Sequence, residues 1–310
     1  MNRSTVQVNA LQDIQEEMPS CVAIGSFDGV HRGHQVLIER MVYQARAAGL
    51  RTAVLTFFPH PRRVIQNLIE PYYLARLEDR VRWIAEIGVD IIVTHPFNES
   101  VRQMRAVEFV DALCAHLQLR QLWGGRFSLG RNREGDIPTL QELGRSRGYS
   151  VELMTDLTMW NQRPVSSSRI RRSLREGDMA DVNGCLGRPY LLRGVVSKGE
   201  QRGRTIGFPT ANIACWPEQL LPANGVYAAY AWLGDHRFPA ATNVGVRPTV
   251  NGRQISVEAH LLDFDADIYG RELSLEFMER VRPEQKFDGL PALKTQIEKD
   301  VAVVRRLLRP

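Results

Sequence analysis

Two histidines, His31 and His34, follow a glycine-rich segment near the start of the chain. An apolar run precedes this segment and an amphipathic run follows it, which predicts a strand, a turn and a helix. Such a turn leaves backbone N–H groups free at the helix N-terminus, where they attract phosphate. The two imidazoles are three positions apart, so they can face one ligand and donate hydrogen bonds to charge that develops on it.

Ordinary surface histidines and a zinc site are the other interpretations of this pair. A zinc site needs a third His or Cys ligand, and none lies at a suitable spacing. The longer segment Gly25 to His34 resembles the signature of the HxGH nucleotidyltransferases, specifically the prokaryotic FAD synthetases. The resemblance implies that both histidines are catalytic. It also implies nucleotide contacts from four neighbours: Gly25, Phe27, Asp28 and Gly33.

The composition is that of a globular protein with a full core, with 44% hydrophobic and 24% charged residues. A length of 310 residues favours two domains. The N-terminus has no apolar signal segment, and no apolar run approaches the ~18 residues of a membrane span. The four cysteines are scattered without a C-x-x-C pair, which is typical of reduced thiols. We therefore expect a cytoplasmic protein with no membrane partner.

The net charge of +5 could indicate nucleic acid. However, the basic residues are nearly all arginine, and no basic run with interleaved aromatics stands out. Small polyanionic ligands explain the charge equally well. We expect no nucleic-acid partner. The sequence is compatible with a weak homo-oligomer.

Apolar runs at 21–24, 51–57, 89–93 and 121–123 predict strands, and amphipathic runs at 35–50, 78–87 and 106–117 predict helices. This alternation favours a parallel α/β sheet with ligands at the carboxyl ends of its strands. His31, His34 and the turn at 57–61 should then converge on one rim of the sheet.

Two later segments extend the resemblance to FAD synthetases. Thr56 to Pro61 and the segment Gly124 to Gly130 match the family near its flavin pocket, although Phe58 and Arg126 stand where acidic or amide residues are usual. The implied flavin contacts are Phe57, Pro59, His60, Pro61, Arg126 and Phe127. Ser166 to Arg171 can be a purely structural helix start, but it also resembles the family's Ser-Ser-Ser/Thr-x-Ile-Arg motif. The nucleotide contacts implied there are Ser166, Ser167, Ser168 and Arg171.

From Gly177 to Gly187 the chain is rich in Gly, Asp and Asn, which predicts a link between domains at 1–182 and 183–310. Beyond it, short runs at 195–196, 225–232, 256–264 and 272–277 predict strands, and the spacing over 290–308 predicts a helix. We expect a small antiparallel barrel or sandwich closed by this helix.

The segment Gly203 to Asn212 could be an ordinary glycine-rich turn. Its glycines also allow backbone to approach phosphate, and its hydroxyl and amide oxygens suit a Mg²⁺–nucleotide. Gly-Phe-Pro-Thr-Ala-Asn resembles the hallmark of riboflavin kinases, as do the segments at 242–249 and 257–261. The implied nucleotide and flavin contacts are Gly203, Gly207, Phe208, Pro209, Thr210 and Asn212, with Thr210 and Asn212 also as metal ligands.

Glu258 is the expected general base of that kinase. It alternates with Ile255, Val257, Ala259 and Leu261 in a predicted strand, so it faces away from them. A carboxylate beside a substrate hydroxyl can accept its proton during attack on a phosphate. A solvated strand-face glutamate is the other interpretation, and the kinase motifs on either side favour the catalytic one.

From about Val22 onward the chain thus resembles the prokaryotic bifunctional riboflavin kinases/FAD synthetases. The resemblance implies a Rossmann-like α/β nucleotidyltransferase domain followed by an antiparallel β-barrel kinase domain with a C-terminal helix. The kinase would convert riboflavin and ATP to FMN and ADP, and the other domain would convert FMN and ATP to FAD and pyrophosphate, with Mg²⁺. The alternatives are a kinase with an inactive adenylyltransferase domain and a regulator that only binds RNA or flavin. No G-x-x-x-x-G-K-[ST] occurs, which excludes a P-loop kinase.

We predict that Arg126 makes FMN binding sensitive to salt. A guanidinium attracts the FMN phosphate, and the Debye length shrinks from ~10 Å at 0.1 M salt to ~3 Å at 1 M. The KM for FMN should therefore rise with salt more steeply in the parent than in Arg126→Asn. Parallel salt dependence in the two proteins would rule out a direct role for this arginine and leave the flavin to the neighbouring aromatics.

Overall fold

The computed structural model describes residues 5–15, 18–125, 127–199, 202–249 and 252–308. The flavin contact predicted for Arg126 therefore lies outside the described residues. Contacts divide the chain into two compact units. The first comprises Met1–Glu70 and Arg76–Val165, and the second comprises Pro71–Ala75 and Ser166–Pro310.

A six-stranded sheet in which all neighbours are parallel forms the centre of the first unit, in the order β1-β4-β3-β2-β5-β6. Its strands are β1 (Val6–Val8), β2 (Ser20–Gly25), β3 (Arg51–Phe58), β4 (Ile91–Pro96), β5 (Leu119–Gly124) and β6 (Ser150–Leu153). A two-stranded ribbon follows, β7 (Met159–Trp160) and β8 (Arg163–Pro164). The helices are α1 (Arg32–Ala47), α2 (Pro61–Gln66), α3 (Leu77–Glu86), α4 (Glu99–Gln103), α5 (Ala106–Leu117) and α6 (Ile137–Arg147).

The central strands are apolar on both faces because helices cover both sides of the sheet. Val22 and Leu55 pack with Phe109 on one side, whereas Ala23 and Val54 pack with Ile38 on the other. This layered arrangement confirms the predicted α/β fold. The edge strands β1 and β6 were not predicted, because one is three residues long and the other, Ser-Val-Glu-Leu, carries little apolar character.

The second unit contains a closed barrel in which all neighbours are antiparallel, in the order β10-β13-β12-β11-β14-β9. Its strands are β9 (Tyr190–Ser197), β10 (Ala211–Cys215), β11 (Gly225–Leu233), β12 (His236–Thr249), β13 (Gly252–Leu261) and β14 (Glu272–Pro283). Its helices are α7 (Ser167–Glu176), α8 (Met179–Leu186), α9 (Arg202–Thr205) and α10 (Leu290–Leu307). The barrel and its C-terminal helix confirm the prediction. Because the sheet closes on itself, the domain is a barrel and not a sandwich.

The predicted link at 177–187 is wrong, because these residues form helix α8. Asp178 caps the helix start by accepting a hydrogen bond from the backbone of Asp181, and Gly187 ends the helix in a left-handed conformation. The polar and glycine residues here therefore cap the two ends of a helix and do not form a loop. The Asn183 side chain then fastens α8 to the barrel by donating to the Phe277 carbonyl at 2.8 Å.

Ile255 lies on the side of β13 that was predicted for it, but it is not part of the core. Val257, Ala259 and Leu261 are buried as expected, but Ile255 is exposed. The register explains the difference: β10 pairs with β13 only as far as Val257, and β11 pairs with β12 only as far as Val244. Beyond those positions β12 and β13 form a two-stranded extension that has no interior. Within the described ranges, no helix combines the length and the apolar character needed to cross a bilayer.

A buried ion pair attaches the C-terminal helix to the barrel. The Arg282 guanidinium contacts the Asp300 carboxylate through both Nε, at 2.9 Å, and Nη2, at 2.8 Å. Gln296 donates to the same carboxylate at 2.8 Å. Both charged side chains are largely removed from solvent, so the loss of one leaves the other buried without its partner.

We predict that Asp300→Asn lowers the free energy of unfolding by about 3 kcal/mol, as expected when one member of a buried pair is neutralised. Urea denaturation followed by circular dichroism measures this change. Glu298→Gln changes an exposed residue of the same helix. This control variant should have the same urea midpoint of unfolding as the parent protein. Equal midpoints for the two variants would contradict the proposed attachment.

Candidate active sites

The turn between β2 and α1 places the two histidines of the first unit against each other. His31 is the N-cap of α1, and its Nδ1 accepts a hydrogen bond from the His34 backbone N–H at 3.4 Å. The two imidazole rings stack with centroids 3.6 Å apart, and Phe27 packs edge-on against His34 at 5.1 Å. His31 is nearly buried and His34 is half-buried. The pair therefore forms one unit at the positive end of a helix.

Below this turn lies a buried ion pair that the sequence did not reveal. The Arg80 guanidinium is 3.5 Å from the Asp28 carboxylate, and the two side chains are 0% and 1% exposed. Arg80 belongs to α3 and also donates to the Thr56 hydroxyl at 3.3 Å and the Phe57 carbonyl at 3.2 Å. Asp28, predicted to contact nucleotide, is thus engaged inside the protein. An arginine on the apolar face of α3, one turn before buried Ile84, was the available signal.

Residues at and beyond the carboxyl ends of β3 and β5 line an aromatic cavity of about 1300 Å³. Among the residues predicted to bind flavin, Phe57, His60, Pro61 and Phe127 line it, whereas Pro59 is exposed and does not. Its walls also include Phe97 and Phe109, whose rings lie 5.5 and 6.1 Å from that of Phe57. The space exceeds the ~300–1,000 Å³ of ordinary ligand pockets, so a three-ring heterocycle with a polar chain fits.

The rim of the cavity is basic, with exposed side chains from Arg62, Arg102, Arg131 and Arg133. His95, directly opposite Phe57 on the neighbouring strand, is buried behind the aromatic wall. Burial lowers the pKa of His95 because the charged imidazolium is poorly solvated there. In the described part of the chain its Nδ1 has no hydrogen-bond partner. A neutral ring thus supports the wall, and the positive charge lies at the rim.

The topology brings the histidines and the cavity to one edge of the sheet. β2, which carries the turn, lies between β3 and β5, and all three run parallel. β3 ends with Phe57 and Phe58 and leads to Pro61, and Phe127 follows β5. Carboxyl ends of adjacent parallel strands share an edge, so the topology is the one that the expected convergence requires.

The serine segment starts helix α7, within the second unit. Ser166 is the N-cap and accepts a hydrogen bond from the Arg169 backbone at 3.2 Å. Arg171 is 5% exposed: its Nε donates to the Tyr72 carbonyl at 2.9 Å, and its guanidinium lies 3.7 Å from the centre of the Tyr72 ring. This side chain holds the segment Pro71–Ala75 against α7. The nucleotide contacts expected of Ser166, Ser167, Ser168 and Arg171 stay predictions.

The barrel surface gathers the polar residues expected of a kinase. Glu258 on β13 lies directly opposite Asn212 on β10 and Asn243 on β12, so three polar side chains share one outward face. The Thr210 hydroxyl donates to the Glu258 carboxylate at 3.4 Å. A carboxylate, two amides and a hydroxyl thus form one cluster. Asn243 was missed because β12 was not predicted, so its register was unknown.

The segment before β10 is held close to the strand. His260 Nδ1 lies 2.8 Å from the Pro209 carbonyl, and its ring packs edge-on against Phe208 at 5.3 Å. At Gly203 a Cβ would come within 2.3 Å of the Phe208 carbonyl, so only glycine fits, and Gly207 adopts a positive φ of 88°. A cavity of about 500 Å³ adjoins Pro209 and Thr210. His260 was missed because nothing but its place within a matched segment distinguished it.

Comparisons with known proteins agree with both halves of this description. Residues 13–169 match the FAD synthetase family, and residues 186–308 match the riboflavin kinase family. The chain is 36% identical to the bifunctional riboflavin kinase/FMN adenylyltransferase of Bacillus subtilis, over 92% of each sequence, and 36% identical to that of Escherichia coli, over 94% of each.

A solved structure agrees along almost the whole chain. It is described as a macrolide-efflux protein from Streptococcus pneumoniae, and it is 28% identical with a TM-score of 0.86. The match covers 97% of this chain and 99% of that one. Together with the two family matches and the relatives that align over more than nine-tenths of both sequences, this likeness shows that the chain belongs to the family of bifunctional riboflavin kinases/FMN adenylyltransferases.

Proposed function

We propose that the residues described above carry out the two reactions of this family. The barrel site transfers the γ-phosphoryl group of ATP to riboflavin, which gives FMN and ADP. The site at the edge of the parallel sheet joins FMN to the adenylyl group of ATP, which gives FAD and pyrophosphate. ATP is the co-substrate of both steps.

The contact between Thr210 and Glu258 is the observation that supports the kinase assignment best. In our proposal Glu258 accepts the proton of the riboflavin 5′-hydroxyl as that oxygen attacks the γ-phosphorus. The bond between the γ-phosphorus and the bridging oxygen breaks, and ADP leaves. Gly203, Gly207, Phe208 and Pro209 form the backbone that holds nucleotide and flavin, since their close packing fixes the approach to Thr210.

The donors of the barrel cluster fit Mg²⁺. This ion prefers a few protein oxygens together with phosphate oxygens and water, and we assign Thr210 Oγ1 and Asn212 Oδ1 as its protein ligands. Among the described residues no group of three or more His, Cys, Asp or Glu side chains could hold a metal, which suits an ion bound jointly with ATP. When bound, Mg²⁺ neutralises charge on the phosphate oxygens.

The stacked histidines support the adenylyltransferase assignment. An oxygen of the FMN phosphate attacks the α-phosphorus of ATP, and pyrophosphate leaves. His31 and His34 donate hydrogen bonds to the negative charge that develops on the phosphate oxygens. Gly25, Phe27 and Gly33 keep the backbone close enough for the nucleotide, and the aromatic cavity receives the isoalloxazine ring.

We further propose that, along the sequence, the adenylyltransferase domain spans 1–182 and the kinase domain 183–310, although contacts group residues from Ser166 onward with the barrel. The two family matches end at residue 169 and resume at residue 186, and the proposed boundary falls between them. Four free cysteines support a reducing, cytoplasmic location. Incubation with riboflavin, ATP and Mg²⁺, followed by chromatography of FMN and FAD, tests the proposal: FMN alone would indicate an inactive adenylyltransferase domain, and no product would indicate a binding protein.

We predict that Glu258→Gln removes riboflavin phosphorylation and spares FMN adenylylation. Glutamine keeps the shape of the side chain but cannot accept the proton, and such a loss typically costs about 10²–10⁴ in rate. Separate assays with riboflavin and with FMN measure the two steps. Glu276→Gln, on β14, which is separated from β13 by two strands in either direction around the barrel, is the control. Near-normal FMN formation by the Glu258 variant would overturn the assignment.

We predict the reverse for His34→Ala, in which FAD formation stops while FMN accumulates. The imidazole that stabilises the developing charge is lost, and the barrel cluster is unchanged. His116→Ala, on α5, controls for loss of a histidine elsewhere in the same unit. If FAD output survives, His34 is not the stabilising group.

A further inference from the structure

The turn that carries the histidines adopts an unfavourable backbone conformation. Phe27 and Val30 have φ values of 43° and 38°, in a region that non-glycine residues seldom adopt. A β-branched residue such as Val30 is especially disfavoured there. A turn of this kind persists only where its surroundings determine it from several sides. Those surroundings should therefore include groups that hold the turn in place.

The Arg80 side chain supplies this support. It reaches the turn from α3 and contacts the Asp28 carboxylate, which lies between the two residues of unfavourable φ. It also donates to the Thr56 hydroxyl, and that hydroxyl in turn donates to the Ser26 carbonyl at 2.9 Å. The turn is thus held through a side chain and through the backbone by one buried cation.

The same guanidinium holds the wall of the aromatic cavity. It donates to the Phe57 carbonyl at 3.2 Å, and the Phe57 ring lines the cavity. Because Arg80 is fully buried, it cannot contact either substrate from solvent. The partners named above lie at or just beyond the ends of two adjacent strands, one of which leads to the histidines and the other to the aromatic wall of the cavity.

We propose that Arg80 is a positioning residue of the adenylyltransferase reaction, and that Asp28 acts as its partner inside the protein instead of as a nucleotide ligand. One buried cation fixes the histidine turn relative to the flavin wall, so the attacking phosphate and the stabilising imidazoles meet in the correct geometry. This role rests on the proposed function. A displacement of about 1 Å at a reacting centre can cost about 10²-fold in rate.

Arg80→Gln and Asp28→Asn test the proposal in the full-length enzyme. We expect kcat for FAD formation to fall about 10²-fold in each, with KM for FMN and ATP nearly unchanged, because misplaced imidazoles weaken stabilisation of the transition state and not ground-state binding. FMN formation from riboflavin in the same protein should stay at the parental rate. Arg82→Gln, an exposed residue of the same helix, should leave both reactions unchanged.

Two further variants separate positioning from simple loss of folding. Thr56→Val preserves side-chain shape and removes only the hydroxyl link, so it should lower kcat partially in a protein with parental thermal stability. The double variant Asp28→Asn/Arg80→Gln should lose no more activity than Arg80→Gln alone, since residues that act as a unit are not additive.

Parental kcat in a folded Arg80→Gln enzyme would overturn the inference, as would additive losses in the double variant or a rise in KM that accounts for the whole effect. A parent enzyme that makes no FAD would instead contradict the proposed function. The two failures are therefore distinguishable.

Discussion

A buried charge beneath the first active site determines much of that site's shape. Arg80 is shielded from solvent, so its charge is balanced by the Asp28 carboxylate and by hydrogen bonds to the Thr56 hydroxyl and the Phe57 carbonyl. Asp28 lies in the turn after β2 and the other two acceptors lie in β3, so these interactions require the turn and the end of β3 to be in place together. These interactions hold the turn that contains the unfavourable backbone conformation of Val30, and His31 follows Val30 directly as the N-cap of α1. The buried side chain of Arg80 is thus linked through the turn to the imidazole that is proposed to act in catalysis.

In the barrel the corresponding constraint is register. Glu258 lies opposite an asparagine on each neighbouring strand because β13 pairs with β10 on one side and β12 on the other. A shift of β13 by one residue would turn Glu258 inward and expose Val257 and Ala259. Burial of the interior face of β13 therefore determines which residues lie on its exterior face. The polar cluster around Glu258 is assembled by strand register and by the strand order that closes the barrel.

These two constraints explain which features could be predicted from the sequence. The sequence identified candidate site residues where they lie within a short contiguous motif. These are the histidine turn, the Gly203–Asn212 segment and Glu258. Arg80 and Asn243 were missed because their importance comes from partners far away in sequence. Helix α8 was mistaken for a link because its caps are made of the same residue types as loops. The sequence also suggested a nucleotide contact for Asp28, whose burial only the structure reveals.

The charge of the cavity rim bears on how the two proposed reactions are connected. Under the proposed function the aromatic wall around Phe57 offers the same contacts to riboflavin and FMN, since both carry the same ring system. What differs is the phosphate, and the cavity rim carries Arg62, Arg102, Arg131 and Arg133. These side chains are exposed and screened by salt, so they act through attraction and encounter more than through tight pairing. A neutral flavin gains nothing from such attraction and a dianionic one does, so under the proposed function this rim favours FMN over riboflavin.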